Sequence, residues 1–150
     1  MPKMLMIQGA NMHLLGIRQP EIYGTTTAAE LDAMIGAYAA ERKIELEIFY
    51  TNSEADLIDR ASRAGADGFE AIVCNTGSFC YGSYPIRDCF AALSIPVIEV
   101  HMSNQLARDI HSVTAAGAKG VIMGFGHDTY LVGLDVALRL IAGKKKKATT

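Results

Sequence analysis

The sequence predicts an α/β fold: one parallel five-stranded sheet with helices on both faces. Two observations point to it. Five short, mostly apolar runs, at Met4–Gln8, Leu46–Tyr50, Ala71–Asn75, Pro96–His101 and Gly120–Met123, are largely continuous rather than alternating, as strands covered on both faces should be. Between them lie helical patterns at Thr27–Glu41, Ser53–Ala64, Ser83–Leu93, a short one near Ser103–Ile110, and Thr129–Ile141. Successive β–α units build a single parallel sheet through right-handed crossovers.

Local signals support each element. Thr27 precedes Glu30 by the spacing of a capping box, which starts the first helix. Ser53, followed by Glu54 and Asp56, gives the second helix an acid-rich N-terminal turn that suits the helix dipole. Pro85 is tolerated in the first turn of the third helix, where its missing N–H costs little. At this size the usual strand order is 2-1-3-4-5, the flavodoxin-like arrangement. It binds ligands outside the carboxyl ends of the strands, near the switch between strands 1 and 3. Gly9–Gly24, Asn75–Ser83 and His101–Arg108 are therefore where chemistry is expected.

The 150 residues make one domain, placed at 1–143, followed at 144–150 by a basic tail whose Lys144–Lys147 are expected to be solvated and frayed. Half the residues are apolar and the net charge is −2, which argues against a broad nucleic-acid surface. No apolar run reaches membrane-spanning length and no signal-peptide core precedes the first strand, so a cytoplasmic location is expected. Cys74, Cys80 and Cys89 follow no disulfide or metal spacing and read as reduced thiols.

The usual occupants of this architecture fit poorly. The loop after strand 1 offers Met12, Leu14 and Leu15 rather than phosphate-binding hydroxyls, and Asn75 ends strand 3 where a phospho-accepting aspartate would stand. Neither G-x-G-x-x-G nor G-x-x-x-x-G-K-[ST] occurs, and the histidines lack paired metal-ligand spacing. What remains near the strand ends is Asn11, Arg18, Tyr23, Asn75, Ser83, Asp88, Glu99, His101, Ser103 and Arg108. Arginine beside tyrosine on a long loop is one of few ways to make a phenol act as a base near neutral pH. Each pKa unit of that shift requires about 1.4 kcal/mol of differential stabilisation. Glu99 and His101, at i and i+2, share one strand face within hydrogen-bonding reach. Together they point to proton transfer.

These residues stand in longer motifs: Gly-x-Asn-x-x-Leu-Leu-Gly-x-Arg-x-Pro-Glu-Ile-Tyr-Gly at 9–24, Asn75-Thr76-Gly77, Arg87-Asp88, Ile98-Glu99-Val100-His101-x-Ser103-Asn104 and Ala107-Arg108. The set resembles type II 3-dehydroquinase, a small flavodoxin-like dehydratase of the shikimate and quinate pathways, from strand 1 to about residue 142. The resemblance implies anti elimination of water from a β-hydroxy-ketone through an enolate, with no metal or organic cofactor because the ketone is the electron sink. It assigns Tyr23 as base, with Arg18 and Arg108 stabilising the phenolate. Asn11 would hold the enolate oxygen through a water, and His101 would be the acid, its tautomer fixed by Glu99. Asn75 and Gly77 would bind substrate, and the backbone N–H groups of Met102 and Ser103 suit its carboxylate. A homododecamer built as a tetramer of trimers is also implied, with Asp88 reaching a neighbouring subunit's site.

Two departures from that pattern stand out. The family's Thr-His-Thr-Ser run, whose histidine binds ring hydroxyls, is replaced here by Cys80-Tyr81-Gly82-Ser83, so Tyr81 takes that place. After Arg108 the chain reads Asp109-Ile110-His111-Ser112, shorter than the family run and lacking its second arginine. Three functions stay open on sequence alone: 3-dehydroquinate dehydratase, a related lyase acting on another cyclic or acyclic hydroxy-keto acid, or a non-catalytic ligand-binding paralogue.

Overall fold

The computed structural model describes residues 1–149. Strands β1 (Lys3–Ala10), β2 (Glu45–Tyr50), β3 (Ala71–Gly77), β4 (Val97–His101) and β5 (Gly120–Met123) form one sheet in the order β2-β1-β3-β4-β5. All pairings are parallel, as the sequence predicts for a flavodoxin-like fold. The helices are α1 (Pro20–Tyr23), α2 (Ala28–Glu41), α3 (Glu54–Ala64), α4 (Tyr84–Ala92) and α5 (Asp128–Ala148).

The continuous apolar runs are explained by coverage of both sheet faces. Along β1, Met4 and Met6 pack toward α2 and α5, while Leu5 and Ile7 pack toward α3 and α4. The same division separates Ala71 and Val73 from Ile72 and Cys74 on β3. Leu31 and Ile35 from α2 and Tyr130 and Leu134 from α5 close one face; Leu57 from α3 and Ile86 and Phe90 from α4 close the other. Burying each such side chain fully stabilises the fold by about 1.5–3 kcal/mol. Gly133 lets α5 approach closely, since a Cβ there would lie 3.0 Å from Val100 and 3.2 Å from Val73.

The helix starts follow their caps. Thr27 Oγ1 accepts from the Glu30 N–H at 3.1 Å, and Ser53 Oγ accepts from the Asp56 N–H at 3.1 Å. Ser83, expected near the site, caps α4 through the Ile86 N–H at 3.2 Å and donates to the Glu54 carboxylate.

Two expectations are corrected. The basic tail does not begin at 144: α5 continues through Ala148, and Lys145 pairs with Glu70 at 3.2 Å. Lysine is a good helix former, and cations in a helix's last turn are favoured by its dipole, so the run extends the helix; Thr150 lies outside the described residues. The helix expected near 103–110 is a single 3-10 turn, Gln105–Arg108, ended by Asp109 in the left-handed region at φ 55°. No helix among the described residues is long and apolar enough to cross a membrane.

Candidate active site

The carboxyl ends of β1, β3 and β4 open into a narrow cleft lined by Arg18, Tyr23, Asn75, His101, Ser103 and Arg108 among others. These residues come from three separated segments, and the strand order brings them together. β1 and β3 are neighbours, so the loop after β1 lies over the turn after β3. Their approach is close: at Gly77, with φ 57°, a Cβ would collide with the Ala10 carbonyl.

The loop after β1 turns through Asn11 at φ 67° into a 3-10 turn at Met12–Leu14, then through Gln19 at φ 42° into α1. Pro20 starts α1, where its fixed φ suits the first turn. This one-turn helix carries Tyr23 over the cleft. Arg108 Nη1 donates to the Tyr23 hydroxyl at 3.2 Å and to Ser103 Oγ at 2.9 Å. The guanidinium carbons of Arg18 and Arg108 lie 5.2 and 5.6 Å from the Tyr23 ring centroid. Arg108 therefore holds the phenolic oxygen directly, and Arg18 stands against the ring.

On β4, Ile98 and Val100 face α2 and α5, which leaves Glu99 and His101 together on the opposite face. His101 Nε2 lies 2.8 Å from Glu99 Oε2, with the glutamate fully buried and the histidine 5 % exposed. A carboxylate in that position accepts, so Nε2 carries the proton. Burial of Glu99 is matched by hydroxyl donors: Ser112 Oγ at 2.6 Å to Oε2, Thr76 Oγ1 at 3.4 Å to Oε1, and Thr114 Oγ1 to Oε1. A buried carboxylate is tolerable only with such partners.

Asn75 is buried and tied on both sides. Its Oδ1 accepts from the Gly77 N–H at 2.9 Å, and its Nδ2 donates to the Tyr130 hydroxyl at 2.9 Å. Tyr130 in turn donates to Gln8 Oε1 at 2.9 Å. Burial pushes the Tyr130 phenol well above its ordinary range, the Asn75 and Gln8 bonds only partly offsetting it. Tyr23, by contrast, lines the cleft with its hydroxyl against Arg108.

The remaining site residues divide. Gly77, Met102 and Ser103 line the cleft; Tyr81 also lines it, though it is 55 % exposed. Asn11 is not among the lining residues: it is exposed, and its N–H donates to Asn52 Oδ1 at 2.9 Å, while Met12 beside it lines the cleft. Its left-handed backbone redirects the chain there, which the motif alone does not reveal. Asp88 is exposed on α4 and pairs with Arg87 at 2.9 Å, outside its own chain's cleft. Sequence reasoning overlooked Cys80, Gln105 and Ile110 in the lining and the hydroxyls of Thr76, Ser112 and Thr114 behind Glu99. The one available signal was the density of hydroxyls in Ser112–Thr114.

Comparison with known proteins agrees with this geometry. The family description "Dehydroquinase class II" matches residues 2–138. The 3-dehydroquinate dehydratase of Syntrophotalea carbinolica is 45 % identical over 144 residues, covering 94 % of this chain and 97 % of that protein. That of Desulforudis audaxviator is 42 % identical over 151 residues, covering 97 % and 99 %. The crystal structure of type II dehydroquinase from Butyrivibrio crossotus superposes with a TM-score of 0.85 at 38 % identity, covering 91 % of this chain and 97 % of that one. The chain belongs to the class II dehydroquinase family.

Proposed function

We propose that this chain is a hydro-lyase that converts 3-dehydroquinate to 3-dehydroshikimate, with Tyr23 as base and His101 as acid. The observation that carries the reading is the pairing, in one cleft, of a phenol held by Arg108 and an imidazole held by Glu99. Names of the relatives support the substrate: those cited are 3-dehydroquinate dehydratases and a type II dehydroquinase.

The chemistry follows from these positions. Tyr23, as phenolate, takes a proton from the carbon between the ketone and the carbon that bears the leaving hydroxyl, and the electron pair moves onto the ketone oxygen. Arg108 and Arg18 compensate the phenolate's negative charge before the transfer. When the enolate collapses, the carbon–carbon double bond forms and the carbon–oxygen bond breaks. His101 delivers a proton to the departing hydroxyl, so water leaves. The Glu99 carboxylate orients the ring and compensates the charge of the imidazolium. Asn75, Gly77 and Tyr81 would contact the ring, and the N–H groups of Met102 and Ser103 would take the carboxylate.

A second reading keeps the elimination but changes the substrate to a related hydroxy-keto acid; Ile110 and Cys80 in the lining favour it, because they put apolar surface where a polyhydroxylated ring needs partners. Incubating the protein with 3-dehydroquinate and following enone absorbance separates the two. Rapid turnover abolished in Tyr23→Phe supports the first reading, and no turnover overturns it. The assembly proposed is a dodecamer built as a tetramer of trimers, with Asp88 serving a neighbouring subunit; its exposure on α4 supports this role. A cytoplasmic site of action accords with the free Cys74, Cys80 and Cys89.

A further inference from the structure

Gln105 is 5 % exposed and lines the cleft. Its Nε2 donates to Cys80 Sγ at 3.5 Å, a weak acceptor, and its Oε1 is sealed from solvent with no hydrogen-bond partner. Buried amide oxygens almost always have a partner, and an exception beside a substrate cleft calls for one. The sequence motifs that place Tyr23, Glu99 and His101 assign nothing to this position.

We propose that the Gln105 carboxamide is a specificity-determining group: with substrate in the cleft it turns to bring its now sealed oxygen onto a substrate hydroxyl at the wall it shares with Cys80. The inference rests on the dehydroquinase reading and adds to it a residue that reads the ring. A carbonyl oxygen only accepts, so the complementary group is a donor: a hydroxyl fits, and a carboxylate is repelled. Turning the amide over gives the same recognition. The Cys80 thiol would then donate to Oε1 and Nε2 would donate into the cleft, and a hydroxyl completes either arrangement because it both donates and accepts. Burial pushes the Cys80 thiol up and keeps it protonated, so it can play either part. Tyr81, half exposed at the rim, leaves room for this inner group to do the reading.

Gln105→Met, close in length and without the amide, tests this. The measurement is kcat/KM for 3-dehydroquinate and for its 4-deoxy and 5-deoxy analogues, in wild type and variant. The variant is expected to lose about tenfold on 3-dehydroquinate, the worth of a lost hydrogen bond, and nothing on the analogue that lacks the hydroxyl it reads. Equal losses on all three substrates, or no loss on any, would overturn the proposal. A readout independent of turnover is stability: without ligand the variant should melt at or above the wild-type temperature, because it removes an unpartnered buried oxygen. A lower melting temperature shows that Oε1 is already partnered and also overturns the idea. If the wild type fails to turn over 3-dehydroquinate, the dehydroquinase reading falls separately. Thermal shifts by quinate and by cyclohexane carboxylate then decide: loss of the quinate shift alone in the variant sustains the hydroxyl contact, and equal shifts remove it. Gln105→Leu repeats the comparison should Met fold poorly.

Discussion

Replacing Glu99 by glutamine isolates what the buried carboxylate does, because shape is kept and charge removed. Four contacts surround it: Thr76 and Thr114 on Oε1, Ser112 and His101 on Oε2. The amide can keep its carbonyl toward the two threonines, which leaves its NH₂ toward Ser112 and His101. Ser112 can adjust, since its hydroxyl rotates and is already within 3.1 Å of Thr114 Oγ1. His101 cannot adjust without cost. Facing a donor, its Nε2 must accept, the proton moves to Nδ1, and the imidazolium loses the carboxylate that compensates it. Exchanging a charge-assisted bond for a neutral one removes about 1–2 kcal/mol, and losing the proton-donating form forfeits much of the 10²–10⁴-fold typical of a positioned acid. We expect kcat to fall by about 10²–10³, or roughly 3–4 kcal/mol at 1.36 per decade, with KM changed little. Steady-state kinetics by enone absorbance measures the rate, and ¹⁵N NMR of the imidazole reports the tautomer. Retention of kcat within threefold, or an unchanged Nε2–H tautomer, would refute the argument that Glu99 acts through His101.

Other perturbations test the surroundings. Tyr130→Phe removes the hydroxyl between Asn75 Nδ2 and Gln8 Oε1, each at 2.9 Å, where Gln8 Nε2 already lacks a partner. It should cost about 2 kcal/mol in urea unfolding and raise KM as Asn75 loosens, and unchanged stability would contradict the network. Burial raises Cys74 well above the ordinary thiol range, with Glu99 adding to it, and also raises Cys80. A disulfide reagent at pH 8 should therefore label Cys89 first and the other two only on unfolding; mass spectrometry of the labelled peptides checks the order. Desolvation raises Asp32 above its ordinary 3.8, the Tyr50 hydroxyl at 2.8 Å partly opposing it. Because the folded state favours the protonated acid, this group's contribution to stability is lost as pH rises through its folded value. Asp32→Asn, which keeps an acceptor for Tyr50, should raise the melting temperature at pH 7 and leave it unchanged well below pH 4; a difference that persists in acid would count against burial as the cause.

The sheet was legible because its signal is local. Met4 to Ile7 are apolar on consecutive positions, which only a doubly covered strand requires, and the same holds from Ala71 to Cys74. Glu99 and His101 were legible because strand period alone puts i and i+2 on one face. What sequence spacing could not convey is how loops close on one another. Ser112 and Thr114 reach Glu99 only because the segment after Arg108 turns back beneath β4, and Thr76 joins them from β3. Gln105 and Cys80 meet across two 3-10 turns whose ends depend on tertiary packing. Asn11 shows the converse: a motif fixes its identity, but a left-handed backbone at φ 67° decides where it sits. Lys144–Lys147 looked like a tail because charge runs usually are, yet their helix propensity and the Glu70 contact prevail.

The short stretch from Arg108 to Ser112 looks in sequence like a loss, since it is truncated and lacks an arginine. In the fold it links Tyr23 to Glu99. Arg108 holds the hydroxyl of Tyr23 and Ser103, Ile110 lines the cleft, and Ser112 holds Glu99. The left-handed turn at Asp109 sets the spacing between the first and last of these contacts. Any change that moves this stretch would displace Tyr23 and the Glu99–His101 pair together. Its polar contacts are made to Tyr23, Ser103 and Glu99, while Ile110 adds apolar surface to the lining. Of the polar side chains in the lining, Gln105 is the one left with an unpartnered buried oxygen.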